Sequence, residues 1–164
     1  LKHRAIFLIA VVSCFVAAQA LAIDLLFPTR LDYPAGSYLW AVCAGDFDGD
    51  GDPDVAVANS EADRISLLLN DGNGGFEPPV SYAAGHGPKS LCAVDVDEDG
   101  DSDLAVANCH SYTISVLLNK GDGSYANATH YGTSGFTLVA CAADLDGDGD
   151  TDLAATNRHG VRSS

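Results

Sequence analysis

Fifteen aspartates in three short acidic loops carry the only dense constellation of reactive side chains in this sequence. The loops read Asp46-Phe-Asp-Gly-Asp-Gly-Asp-Pro-Asp54, Asp95-Val-Asp-Glu-Asp-Gly-Asp-Ser-Asp103 and Asp144-Leu-Asp-Gly-Asp-Gly-Asp-Thr-Asp152. Their alternate positions are Asp46, Asp48, Asp50, Asp52 and Asp54; Asp95, Asp97, Asp99, Asp101 and Asp103; and Asp144, Asp146, Asp148, Asp150 and Asp152. Glycine (Gly51, Gly100, Gly149) holds the sixth place each time. Carboxylates at every second residue around a glycine-permitted sharp turn suit a hard cation. Calcium takes about 6–8 oxygens at roughly 2.3–2.6 Å, and known calcium loops draw them from the first, third, fifth, seventh and ninth positions with glycine at the sixth. Magnesium keeps more of its water and fits an all-protein cage less well.

The acid is local. The loops hold 16 of the 23 acidic residues, so the formal net charge of −15 leaves seven acids against eight bases elsewhere. No basic stripe exists to neutralise phosphates, which argues against a nucleic-acid partner. The chain has no Gly-x-Ser-x-Gly elbow, no His-Glu-x-x-His and no glycine-rich phosphate loop, so a non-enzymatic protein is expected. His86, His110 and His159 read as surface residues.

The loops begin 49 residues apart, a period that points to stacked repeats. Four short strands are predicted in each unit. In the first they are Leu39–Ala44, Val55–Asn59, Ile65–Asn70 and Phe76–Tyr82; in the second, Leu91–Val94, Leu104–Asn108, Thr113–Asn119 and Tyr125–Tyr131. Unit three offers Leu138–Ala143 and Leu153–Asn157. Alternation of small alanine with Val or Leu, punctuated by Gly and Asn turns, predicts hairpins whose sheets lie closely on one another. One four-stranded sheet cannot hide both faces, so an all-β protein of radially stacked β-propeller blades follows, each of four antiparallel strands. Phe27, Leu31, Tyr33 and Gly36 match Phe76, Val80, Tyr82 and Gly85 at the same offset, which predicts a lone outer strand within 21–38. The expected organisation is a signal peptide at 1–20, that outer strand at 21–38, repeats at 39–87 and 88–136, and a truncated repeat at 137–164. Two whole blades make an incomplete ring. The remaining blades are expected from a longer protein or from other chains.

Lys2, His3 and Arg4, the apolar run Ala5–Val12 and the small-x-small Ala18-Gln19-Ala20 predict export, to the exterior or the cell surface. The run is short for a bilayer span, so no membrane span is expected in the mature chain. Val11-Val12-Ser13-Cys14 also resembles a bacterial lipobox, with lipid anchoring through Cys14 as the alternative. Cys43, Cys92 and Cys141 stand three residues before each loop and read as small strand residues on separate sheets rather than disulfide partners.

Residues 46–59 and 65–76 resemble an FG-GAP/VCBS repeat, the unit of integrin α-subunit propellers and of many secreted bacterial proteins. The resemblance covers nearly everything after residue 26 and implies calcium-binding blades. By position, the first, third, fifth and ninth aspartates of each loop would bind with their side chains, and Asp52, Asp101 and Asp150 with their backbone carbonyls. Glu98, where the fourth position is otherwise glycine, makes the second site the least regular. The implied roles are adhesion or binding of an extracellular protein or glycan; the alternative is an accessory propeller of an extracellular hydrolase or lyase.

Overall fold

The computed structural model describes residues 31–158. The predicted leader, Cys14, His159 and the part of the predicted outer strand before Leu31 lie outside them. The chain divides into two compact units, Leu1–Pro34 and Ala35–Ser164. All of the strands among the described residues belong to the second.

They are β1 (Leu39–Gly45), β2 (Asp54–Asn59), β3 (Arg64–Leu68), β4 (Val80–Ala83), β5 (Pro88–Val94), β6 (Asp103–Asn108), β7 (Thr113–Leu117), β8 (Thr129–Gly132), β9 (Phe136–Ala143) and β10 (Asp152–Arg158). They form an all-β, propeller-like array: a four-stranded sheet β1-β2-β3-β4, a second β5-β6-β7-β8, and a two-stranded β9–β10 sheet. Every pairing is antiparallel, with corresponding registers such as Cys43↔Ala56, Cys92↔Ala105 and Cys141↔Ala154. Among the described residues the sheets remain open and no helix is long and apolar enough to cross a membrane.

Side-chain size sets how the sheets stack. Ala56 and Ala58 of β2, with Ile65 and Leu67 of β3, meet Leu91, Leu104, Val106 and Leu117 of the next sheet in one buried cluster. The small side chains of one face receive the large ones of the other, the complementarity a dry sheet-on-sheet core requires. Packing between sheets concentrates on the first strands, β1 beside β5 and β5 beside β9, and fades toward the outer ones. That wedge is the geometry of radially arranged blades. Between blades, the Gly85 N–H donates to Asn108 Oδ1 (3.1 Å) and Ser115 Oγ (3.2 Å), fixing the linker. A Cβ at Gly85 would lie 2.7 Å from the Asn108 side chain, so only glycine fits there.

Two expectations change. No strand runs through residues 31–36, so the outer strand predicted for 21–38 does not form in its described part. The outer strands are shorter than predicted: Phe76 and Tyr125 make isolated bridges to Asn70 and Asn119, and pairing resumes only at Val80 and Thr129. Pro78 and Pro79 lack the N–H that pairing needs. The second blade breaks at the same place without proline, however, so the break belongs to the repeat. As expected, Cys43, Cys92 and Cys141 lie on three separate sheets and form no disulfide. Convergence of β1, β5 and β9 brings Cys43 under the influence of Cys92, and Cys92 under that of Cys141, while all remain free thiols. Burial pushes the Cys43 thiol up to about 12, with Cys92 adding to the effect.

Candidate metal centre

Each acidic loop joins the first strand of a blade to the second, β1 to β2, β5 to β6 and β9 to β10, and so repeats on one edge of the array. Its folding follows from short aspartate side chains bonding the backbone just ahead of them, the tendency that makes Asp a turn former. Asp46 accepts from Gly49 N–H (2.8 Å) and Gly51 N–H (3.0 Å). Asp48 accepts from Asp50 N–H (3.2 Å) and Asp50 from Asp52 N–H (2.8 Å). The third loop repeats this: Asp144 takes Gly147 (2.7 Å) and Gly149 (3.2 Å), Asp146 takes Asp148 (3.2 Å) and Asp148 takes Asp150 (3.0 Å). The sixth residue lies at φ +89°, +95° or +100°, the left-handed region that favours glycine.

The coil gathers oxygens. One oxygen from each of Asp46, Asp48 and Asp50 lies within 4.8 Å of the others, as do those of Asp95, Asp97 and Asp99, and of Asp144, Asp146 and Asp152. The first two groups consist of the first, third and fifth positions; the last substitutes the ninth for the fifth. Asp52, Asp101 and Asp150 donate their own N–H groups to the loop coil.

The ninth position has a second task that the sequence did not disclose. Asp54 and Asp103 are fully buried. Asp54 accepts from Phe47 N–H and Asn70 N–H, both at 2.7 Å, and Asp103 from Val96 N–H (2.9 Å) and Asn119 N–H (2.7 Å). Each carboxylate thus ties the start of its loop to the residue beyond the third strand. Burial raises the pKa of both above the ordinary carboxylate range, the two backbone N–H bonds pull the other way, and the neighbouring loop aspartates push it further up. Asn70 and Asn119 were the missed residues, and the signal for them was present: asparagine closes the third predicted strand in both repeats. Asp152 accepts from Leu145 N–H (3.0 Å) and otherwise turns into the Asp144–Asp146 group.

Loop two is irregular, and the cause is visible. Glu98 takes φ +60° with a full side chain, where Gly49 and Gly147 take +76° and +83°. Asp150 raises the Glu98 pKa, first by accepting a hydrogen bond from the protonated Glu98 carboxyl and then by its charge, with burial, Asp95 and Asp148 adding to the effect. Asp95 accepts only from Gly100 N–H (3.0 Å), and its buried Oδ1 has no hydrogen-bond partner. A buried orphan oxygen beside two more carboxylates fits a cation, because leaving such a group unpaired costs about 1–3 kcal/mol. The donor set, all hard oxygen, fits calcium rather than a softer metal.

No curated protein matches the chain. Among solved structures, a chain of the Photorhabdus luminescens Tc holotoxin pore is similar, at 20% identity with a TM-score of 0.47. That match covers 68% of this chain and 6% of the toxin chain, so this chain spans a small part of that protein's length. The family model of the FG-GAP-like repeat matches twice, over residues 46–106 and 95–155, each match running from one acidic loop through the next. Loop spacing, four-stranded antiparallel sheets and these matches agree, and the chain belongs to the FG-GAP-like repeat family.

Proposed function

We propose that this chain is a calcium-stabilised, extracellular propeller-like module that binds a protein or glycan and performs no catalysis. The observation that carries it is the recurrence of three convergent carboxylate groups on one edge of the array, one of them with an orphaned buried oxygen. Bound calcium would supply a positive charge that these carboxylates share. Asp46, Asp48 and Asp50, Asp95, Asp97 and Asp99, and Asp144, Asp146 and Asp152 would hold it with side-chain oxygens. Asp54 and Asp103 would close their loops from the buried side, and the carbonyls of Asp52, Asp101 and Asp150 would complete the shell. Without the ion, five or six acids on nine residues repel one another. Extracellular calcium modules work at dissociation constants of about 10⁻⁴–10⁻³ M, which suits the exterior to which the leader-like start of the sequence points.

Isothermal calorimetry of the chain with calcium, against magnesium as control, tests the proposal. Binding of up to three calcium ions with a rise in thermal midpoint supports it. No heat at millimolar calcium and an unchanged melting curve in chelator would overturn it.

A further inference from the structure

Resting on that calcium assignment, we propose that Asn119 couples the first two metal loops, so that filling either one raises the affinity of the other. The N–H and both side-chain polar atoms of this buried residue are committed. Its N–H donates to Asp103 Oδ1 (2.7 Å), the ninth position of loop two. Its Nδ2 donates to Ser102 O (3.0 Å), the eighth position of the same loop, and to Phe47 O (2.9 Å), the second position of loop one in the neighbouring blade. Its Oδ1 accepts from Lys120 N–H (2.8 Å) and Gly121 N–H (3.1 Å), shaping the turn that follows. That turn abuts loop one directly, since a Cβ at Gly123 would lie 3.1 Å from the Cβ of Asp48.

The interblade bond is the distinguishing element. Asn70, at the equivalent place in the first blade, makes the same within-blade contacts, from its N–H to Asp54 Oδ1 (2.7 Å) and from Nδ2 to Pro53 O (3.1 Å). Asn119 adds the reach to Phe47, and the consequences show in exposure. Phe47 is 1% exposed and packs edge-on to Tyr125 at 6.4 Å, whereas Leu145, its counterpart in loop three, is 63% exposed. Loop one is therefore built by its own blade and closed by the next one. Drawing Asp95, Asp97 and Asp99 inward around an ion fixes Asp103 at the other end of the loop, and with it Asn119. Fixing Asn119 holds the Phe47 carbonyl and the turn behind Asp48. Linkage makes the effect reciprocal.

The test uses the full chain with loop three silenced by Asp144→Asn and Asp146→Asn. Calcium affinity of loop two is measured with loop one intact and with loop one disabled by Asp48→Asn and Asp50→Asn, which leaves Asp46 to hold Gly49 and Gly51. Disabling loop one should weaken loop two about fivefold, the low end of coupling between sites. In an Asn119→Ala background, shown to be folded by circular dichroism, the difference should vanish. A second readout keeps Asn119 native: in the chain with loop one disabled, calcium filling loop two should slow amide hydrogen exchange at Gly49 and Gly51. Equal loop-two affinities, or exchange at Gly49 and Gly51 untouched by calcium, would overturn the coupling while leaving the calcium assignment standing. A chain that binds no calcium at either loop would overturn both.

Discussion

Asp103 separates a scaffold role from a ligand role, because its contribution should survive complete removal of metal. In Asp103→Asn, the side-chain oxygen can serve only one of the two N–H donors it now satisfies, Val96 (2.9 Å) or Asn119 (2.7 Å). The other N–H would face an amide NH₂ in a site with no exposure. Losing a hydrogen bond to a charged acceptor costs about 1.5–3 kcal/mol, and an unpaired buried donor about 1–3 kcal/mol. Replacing a charge whose burial is itself unfavourable returns part of that, as the raised pKa of Asp103 indicates. A net loss of about 2–4 kcal/mol is expected, a large part of the ~5–15 kcal/mol typical of a domain. With a urea slope of about 1–3 kcal/mol/M, the midpoint should fall by about 0.7–4 M. The assay is urea unfolding followed by far-UV circular dichroism in excess chelator. Asp97→Asn is the control: its carboxylate is exposed, so it should lose calcium affinity yet unfold in chelator at or above the wild-type midpoint. If Asp103→Asn matched wild type in chelator and differed only with calcium present, the ninth position would be a ligand alone and the scaffold argument would fail.

Gly100→Ala should cost about 1–2 kcal/mol although nothing lies within 4 Å of the new Cβ, because φ is +95°; Gly132→Ala, equally open and without a positive φ, should be neutral in the same urea experiment, and equal effects at the two positions would refute the backbone explanation. Glu98→Gly should stabilise the chelated chain by about 1 kcal/mol by removing a side chain from φ +60°; an unchanged or lower midpoint would count against strain in loop two. Asp63 sits where the first blade meets the second: burial raises its pKa, but the Gly87 N–H (2.8 Å) and then the His86 ring (2.8 Å), with the charge of His86 and His110, outweigh that and hold it below the ordinary 3.8. A depressed folded-state pKa means stability present above about pH 4 and lost as pH falls through the lower folded value. Asp63→Asn should thus lie below wild type by under about 1 kcal/mol near pH 6, given the partly exposed pair, and converge with it toward pH 3; a gap independent of pH would contradict the ion-pair origin.

Spacing made the first and second strands legible because each acidic loop has to end one strand and start the next. Alanine alternation likewise announced the stacked sheets, and Ala56 and Ala58 do share one buried cluster with Leu91, Leu104 and Val106 of the next sheet. The outer strands were overread. Hydrophobic residues continue through 76–82 and 125–131, but Glu77 N–H and Ala126 N–H bond back to Leu69 O and Leu118 O (both 2.8 Å), which closes the hairpin turn before the outer strand begins. The influence of Cys92 on Cys43 was hidden for a geometric reason: strands far apart in sequence and on different sheets still converge where wedge-shaped blades come together.

The same geometry explains why the aspartate pattern alone understated the site. A motif confined to nine residues records only the oxygens that its own blade supplies. Phe47, at the second position of its loop, is a buried aromatic whose carbonyl is held by a residue 72 positions away. Tyr125, four residues after Gly121, donates to Ser102 O (2.9 Å), while Tyr82 donates to Gly123 O (3.3 Å) and packs on Tyr125 at 5.3 Å. The cooperative unit is therefore displaced from the sequence repeat: a loop, its own first two strands, and the third-strand end of the following blade. Leu145 shows the converse, an apolar second position left exposed where no described third strand follows. An asparagine-ended third strand and its aspartate-glycine turn placed after β10 would complete the third blade and reach Val96, the second position of loop two, as Asn119 reaches Phe47, while Leu145 would need the third-strand end of a further blade.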